Sequence, residues 1–356
     1  MPEMQTAFAH WAVQPERDFV IVESPVSISV VVPIYSGEAF LRDLVAELDQ
    51  VQTGWRARGM PVELAEVILV DDSAVDASPA LIDQLAAQYG WVTAIHLMRN
   101  FGQHAATIAG VLHSSGDWVV TMDEDLQHPP AEIETLLRCA VQAGSDIVYA
   151  KPASAVHEAR SRDWASRGFK RLMVLLTGNP NIAHFNSFRL LRGSLARAAS
   201  SVCGHDTYFD VALSWFTRRV NALVLDLKDR RFITSGRSGY SFRRLLSHAR
   251  SLLISSQVKI IRMFGVVGMA VAGIAALGVI ILLLQKLISP DTIDVIGWTS
   301  SMLAILFFGG FITFMISLAL EYLSTLVQAA HGRPRFFTVD RSVDAPLSDY
   351  FRANPK

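Results

Sequence analysis

Eight consecutive residues, Asp123-Glu124-Asp125-Leu126-Gln127-His128-Pro129-Pro130, hold the densest chemistry in the chain. They follow an apolar run, residues 118–122, that reads as a buried strand. Two carboxylates at i and i+2, where a strand ends, can converge on one hard divalent cation, Mg²⁺ or Mn²⁺, that keeps positions open for phosphate oxygens. Acids ahead of Pro-Pro also suit a helix N-terminus, so the pair alone leaves both readings open. A second pair, Asp71-Asp72, ends another apolar run, with Asp76 just beyond. Carboxylates there can hydrogen-bond a nucleobase or ribose, or cap the helix that starts near Pro79. Pro33-Ile34-Tyr35 closes the first run and Glu38 opens the helix after it; the tyrosine ring can stack on a base or simply pack. The third element is Arg99-Asn100-Phe101-Gly102-Gln103-His104-Ala105-Ala106, a polar turn leading into a helix rich in small residues. Arg99 and that helix N-terminus can face an anionic phosphate. A single histidine such as His104 is by type more a structural residue than a base.

The elements that must position these groups alternate. Residues 27–33, 66–71, 93–97, 117–122 and 146–149 read as strands, several of them continuous Val/Ile/Leu runs of the kind covered on both faces of a parallel sheet. Residues 38–54, 78–89, 103–114 and 130–143 read as helices between them. Alternation predicts an α/β domain with right-handed crossovers, and ligands in such sheets bind at the carboxyl ends of strands, where all three polar elements fall.

Of the 356 residues, 51% are hydrophobic, which is high for a soluble protein. With 32 basic against 33 acidic residues, no global field points to nucleic acid. The apolar excess lies near the C-terminus: residues 263–285 and 295–320 contain no charge, and each exceeds the ~20 residues a helix needs to cross about 30 Å of hydrocarbon. Before them, residues 241–262 set apolar side chains at helical spacing among Arg and Lys, the composition of helices lying in a membrane interface. Arg243, Arg244, Arg250, Lys259 and Arg262 precede the first span and Arg333, Arg335 and Arg341 follow the second, while the short loop between carries Lys286 but also Asp291 and Asp294. The positive-inside rule places both ends in the cytoplasm. No signal peptide is visible, and Cys139 and Cys203 read as free thiols.

Together these pieces resemble family 2 glycosyltransferases of the GT-A fold, in the branch that contains dolichol-phosphate mannosyltransferase and the bacterial undecaprenyl-phosphate sugar transferases of the 4-deoxy-4-formamido-L-arabinose transferase type. The carriers are Val31-Val32-Pro33-Ile34-Tyr35, Val70-Asp71-Asp72, the Arg99 to Ala106 and Asp123 to Pro130 runs, Tyr240-Ser241-Phe242 and Arg333-Pro334-Arg335-Phe336-Phe337. The resemblance implies that Asp123 and Asp125, with Gln127, hold the metal and the donor diphosphate, and that Pro33, Tyr35, Glu38 and Asp72 line the nucleotide pocket, which Asp71 and Arg99 adjoin. It implies an inverting transferase that moves a sugar from a nucleotide diphosphate donor, a UDP-sugar first, to a polyprenyl phosphate in a bacterial inner membrane, and a homo-oligomer. The division expected is an N-terminal extension (1–26), a GT-A catalytic domain (27–235), amphipathic interface helices (236–262), a two-span hairpin (263–330) and a cytoplasmic tail (331–356). Several positions depart from the family pattern: Asp71-Asp72-Ser73-Ala74-Val75-Asp76 replaces Asp-Asp-Gly-Ser-x-Asp, Pro152, His205 with Asp206, and Gly239 stand where Arg, Glu-Arg and Lys are usual, and Lys151, Arg230, Arg231 and Arg237 are the substitutes for phosphate contact. Those departures keep open a transferase-like membrane scaffold without turnover, and a different lipid acceptor.

Overall fold

The computed structural model describes residues 25–152, 180–204, 207–225, 259–288, 297–330, 332, 334 and 336–355. Arg230, Arg231, Arg237, Gly239, His205, Asp206, most of the N-terminal extension and most of the interfacial segment lie outside the described residues.

The part of the chain before the long apolar helices is built on a seven-stranded sheet in the order β3-β2-β1-β4-β6-β5-β7. Its strands are β1 (Val26–Ile34), β2 (Val62–Asp71), β3 (Val92–His96), β4 (Trp118–Thr121), β5 (Ile147–Pro152), β6 (Arg189–Arg192) and β7 (Val220–Leu225). The helices between them are α1 (Leu41–Ala57), α2 (Ser78–Gln88), α3 (Gln103–His113), α4 (Glu132–Ala143), α5 (Gly193–Ser201) and α6 (Phe209–Phe216). Each strand and helix expected between residues 27 and 149 is present within a few residues of its expected ends. The sheet is parallel except for β6, which runs antiparallel to both β4 and β5.

Side chains of β1 alternate between two cores: Ile28, Val30, Val32 and Ile34 join the cluster under α1, α2 and α4, while Val31 joins the one under α3, α5 and α6. The chain walks β1, β2, β3 in one direction with α1 and α2 on one face. It then returns past β1 to place β4, and this crossover puts α3 on the opposite face. The reversal leaves a crevice between the carboxyl ends of β1 and β4, the topological switch point where open α/β sheets bind ligands. Helix α3 lies close on the sheet at Gly110, where a Cβ would come within 2.4 Å of Val31 and 2.9 Å of Val70. A larger residue there would lift the helix and withdraw its N-terminus from the crevice.

Two long helices follow, α7 (Lys259–Ile288) and α8 (Trp298–Ala330). They pack antiparallel: Gly265 faces Ser317, Gly268 faces Gly310 and Phe314, and Gly278 faces Leu303. A Cβ on Gly310 would lie 2.7 Å from the Gly268 carbonyl oxygen, so the seam depends on small residues that let the backbones approach. The apolar stretches Gly265–Gln285 and Ser300–Val327 are only 17% and 11% buried, which is the reverse of a soluble core helix. Their outward faces need a covering that the described residues do not supply.

The chain then returns to the sheet domain. Phe337 packs edge-on against Phe216, 5.1 Å between centroids. Helix α9 (Asp344–Ala353) lies on α4 and reaches β1, burying Leu347 and Phe351 in the first core. Charge fastens this segment. Buried Arg192 reaches Asp146 at 3.3 Å and Asp344 at 2.6 Å, and Arg341 also pairs with Asp146. Arg138 lies 4.4 Å over the Phe351 ring and donates to the Asn354 carbonyl at 2.6 Å. The segment that follows α8 is therefore tied to the sheet domain.

Candidate active site

The acidic run leaves β4 directly into the crevice. Asp123 is partly exposed and both its oxygens are held: Gln103 Nε2 donates to Oδ1 at 2.6 Å and Ser187 Oγ to Oδ2 at 2.9 Å. Both donors are neutral, so they orient the carboxylate without cancelling its charge. Asp125 is buried, and its Oδ1 accepts the Gln127 N–H at 3.2 Å, which folds the turn between these two residues just after Asp123. Leu126 pays for that turn with a left-handed φ of 59°, a conformation unusual for a branched side chain. The imidazole of His128 is buried and stacked on Phe188 with centroids 4.8 Å apart. Its Nδ1 accepts the Asp123 N–H at 3.0 Å, which places the ring proton on Nε2. Two hard-oxygen carboxylates and an amide at a sheet switch point form a donor set that fits Mg²⁺ or Mn²⁺.

The opposite lip is the β1–α1 loop. Pro33 is buried within β1, beside Val70, whereas Tyr35 is exposed at the strand's end. Glu38 and Asp76 clasp each other's loops: Asp76 Oδ2 accepts the Glu38 N–H at 3.1 Å and Glu38 Oε2 accepts the Ala77 N–H at 3.2 Å. Burial raises the Asp76 carboxyl, but hydrogen bonds from Ser78 and Glu38 outweigh it and hold the pKa below the usual value.

Asp71 and Asp72 spend their oxygens on the protein. Asp72 accepts the Phe101 N–H at 2.7 Å and the Gly102 N–H at 2.9 Å, so it shapes the β3–α3 turn that presents Gln103 to Asp123. Asp71 Oδ1 accepts the Ala74 N–H at 2.7 Å and its Oδ2 meets His96 Nδ1 at 3.0 Å. The other face of His96 meets Asp83 at 3.0 Å; the bonds to Asp71 and then Asp83 raise its pKa above 6.5 despite desolvation. Arg99 lies 4.1 Å over the Phe101 ring in the exposed turn. His104 packs edge-on against Tyr208, 4.5 Å between centroids, a structural contact. Lys151 sits at the end of β5 beside the exposed Pro152, two strands from β4.

Below the site, Arg189 and Asp210 form an ion pair in the second core, and Tyr149 donates its hydroxyl hydrogen to Asp210 at 2.8 Å. Burial, then the Asp210 charge, pushes the Tyr149 phenol well above its ordinary value. Arg189 Nε also reaches Thr121 Oγ1 at 3.1 Å, supporting β4 just before Asp123.

Sequence reasoning gave no role to Glu124, Gln103 or Ser187. Glu124 and Gln103 stood inside runs already singled out; Ser187 precedes a four-residue strand with polar ends and carried no periodic signal.

Fold and crevice define a GT-A-type α/β domain joined to an apolar helical hairpin. The sequence pattern of "Glycosyl transferase family 2" matches residues 29–200. The undecaprenyl-phosphate 4-deoxy-4-formamido-L-arabinose transferase of Pseudomonas aeruginosa is 32% identical over 330 residues, covering 90% of this chain and 91% of that protein. Its counterpart from Aeromonas hydrophila is 30% identical over 331 residues, covering 90% and 95%. Among solved structures, glucosyl-3-phosphoglycerate synthase from Mycobacterium tuberculosis with Mn²⁺, UDP-glucose and phosphoglyceric acid overlays with a TM-score of 0.43 at 15% identity, covering 65% of this chain and 78% of that one. At that score the overlay bears on nothing beyond itself. The chain belongs to glycosyl transferase family 2 and is a glycosyltransferase.

Proposed function

We propose that this transferase moves a sugar from a nucleotide diphosphate donor, a UDP-sugar first, to a polyprenyl phosphate, undecaprenyl phosphate in particular, at the cytoplasmic face of a bacterial inner membrane. The observation that carries the reading is the Asp123–Asp125 turn in the switch-point crevice of a chain that ends in an apolar hairpin. The full-length likeness to undecaprenyl-phosphate transferases supports the acceptor class. A divalent cation on Asp123, Asp125 and Gln127 supplies positive charge against the departing nucleotide diphosphate.

The protein's own part is positioning. A phosphate monoester has a second pKa near ~6 and is largely ionised at neutral pH, so a strong base is less necessary than alignment. Gln103 and Ser187 fix Asp123, Asp72 fixes the turn that carries Gln103, and the Arg189–Asp210 pair stiffens the floor. The β1–α1 lip, with Pro33, Tyr35 and Glu38, and the adjacent Asp71, Asp72 and Arg99 form the nucleotide side. Lys151, Arg231 and Arg237 are assigned to the phosphates of donor or acceptor, steering two anions together. Direct displacement at the anomeric carbon inverts it. Assembly as a homo-oligomer belongs to the same proposal and is read by light scattering in detergent.

The test is transfer from radiolabelled UDP-sugars to undecaprenyl phosphate by the purified full-length protein. Asp125→Asn should nearly abolish transfer with an unchanged melting curve, and EDTA should do the same to the parent. Full transfer in EDTA or in the Asn variant removes the assigned role.

A further inference from the structure

Glu124 stands between the two aspartates yet points across the crevice. Its carboxylate is buried and accepts the backbone N–H groups of the opposite lip: Tyr35 to Oε2 at 2.8 Å, and Ser36 to Oε1 at 3.1 Å and Oε2 at 3.2 Å. Gly37 completes the contact, since a Cβ there would lie 2.9 Å from Oε2. The next residues are themselves anchored, Gly37 N–H on Ser78 Oγ at 3.0 Å and Glu38 N–H on Asp76 at 3.1 Å. Strands β1 and β4 are neighbours, so this one side chain staples the loops that leave them. A carboxylate gripping successive backbone N–H groups makes charge-assisted bonds, roughly twice as strong as neutral ones. The turn it springs from cannot yield freely: Leu126 is in the left-handed region and the Asp123 N–H is tied to His128. A shift of either lip is thus passed to the other.

We propose that Glu124 is a positioning residue that couples occupancy of the nucleotide lip to cation binding at Asp123 and Asp125. The inference rests on the reading given under Proposed function, which assigns those two lips to nucleotide and cation. A nucleoside that settles on Tyr35 and Ser36 fixes the lip that Glu124 already grips and, through Glu124, the peptide units on both sides, so the Asp123 and Asp125 carboxylates meet the cation already aimed. By linkage the cation tightens nucleoside binding by the same factor.

A nucleoside without phosphates isolates this path, because it cannot touch the cation. Calorimetry on the full-length protein in nanodiscs measures Mn²⁺ affinity alone and with each saturating nucleoside, uridine first. The parent should show mutual tightening of about 5-fold or more for the nucleoside it accepts. In Glu124→Gln, Mn²⁺ alone and nucleoside alone should bind within about threefold of the parent while the tightening falls to about one, that is, to a coupling free energy near zero. Gly37→Ala perturbs the same contact from the other lip and should give the same loss, which guards against a folding defect in the first variant. Retained coupling in both variants overturns the proposal, as does loss of Mn²⁺ binding itself in Glu124→Gln with an unchanged melting curve, since Glu124 would then be a ligand. A parent that binds Mn²⁺ and UDP but shows no nucleoside–cation coupling overturns this inference alone. A parent that binds neither overturns the functional reading beneath it.

Discussion

Replacing Asp72 with Asn keeps the side chain's size and removes its charge, in a position where both oxygens are committed. The carboxylate is 3% exposed and accepts from Phe101 N–H at 2.7 Å and Gly102 N–H at 2.9 Å. Asn offers one acceptor and turns an NH₂ toward the second donor. The surviving bond drops from charge-assisted, about 1.5–3 kcal/mol, to neutral, about 0.5–1.5 kcal/mol, a loss of about 1 kcal/mol. Leaving the other N–H unsatisfied costs about 1–3 kcal/mol more. The turn is therefore destabilised by about 2–4 kcal/mol, which shifts its opening equilibrium by about 30- to 1,000-fold. Because that turn presents Gln103 to Asp123, kcat should fall by up to the same factor. Hydrogen exchange read at single-amide resolution gives the structural half directly: protection at Phe101 and Gly102 should drop by that factor while the strand β1 amides keep theirs. Protection within about threefold of the parent at both amides would show that Asp72 does not hold the turn, and the account of how Asp123 is oriented would fall with it.

The His96 bridge gives a pH signature. Its pKa is raised in the fold, so its stabilisation is complete below 6.5 and lost as pH rises through the folded value; the melting-temperature gap between parent and His96→Gln should be wider at low pH than at pH 8.5. A gap independent of pH would refute it. Phe351→Ala removes a buried ring from the first core and should cost about 3–5 kcal/mol in denaturant unfolding, with earlier proteolytic release of the C-terminal segment. Burial raises the Cys139 thiol and pushes Cys203 up to about 12, so neither should react with maleimide in the native protein at pH 7.5. On that silent background, a cysteine at Thr292 should label from outside intact cells and one at Val339 should not; the opposite pattern would invert the proposed orientation.

The parallel strands were legible because their residues need no distant partner to be read: the Val, Ile and Leu of β1 and β2 announce strands buried on both faces. Strand β6 was illegible for the converse reason. Arg189 and Arg192 end it, and charges inside a sheet make sense only once Asp210, Asp146 and Asp344, up to 152 residues away, are seen to neutralise them. Helix α9 hid likewise, since its burial rests on two residues, Leu347 and Phe351, in an otherwise polar stretch. At the site, the residue types marked the polar strand ends but not how their side chains pair. Asp71-Asp72 reads equally as a nucleotide-contacting pair and as a helix cap, and in the fold each acid holds a loop, while Glu124 reads as one more acid in a run although it grips the other side of the crevice.

The return of the chain after α8 bears on how the protein is made. Leu347 and Phe351 fill the core beside β1 and α4, and Asp344 and Arg341 complete the charge cluster around Arg192 and Asp146. These residues leave the ribosome after both long helices. Until then the catalytic half has an open apolar socket and a buried arginine with only part of its acidic complement. The domain therefore finishes folding only after the hairpin has been synthesised, and a hairpin threaded with its ends on opposite sides of a membrane would leave the socket empty. Helix α9 thus takes its place beside β1 and α4 only once both long helices have been made.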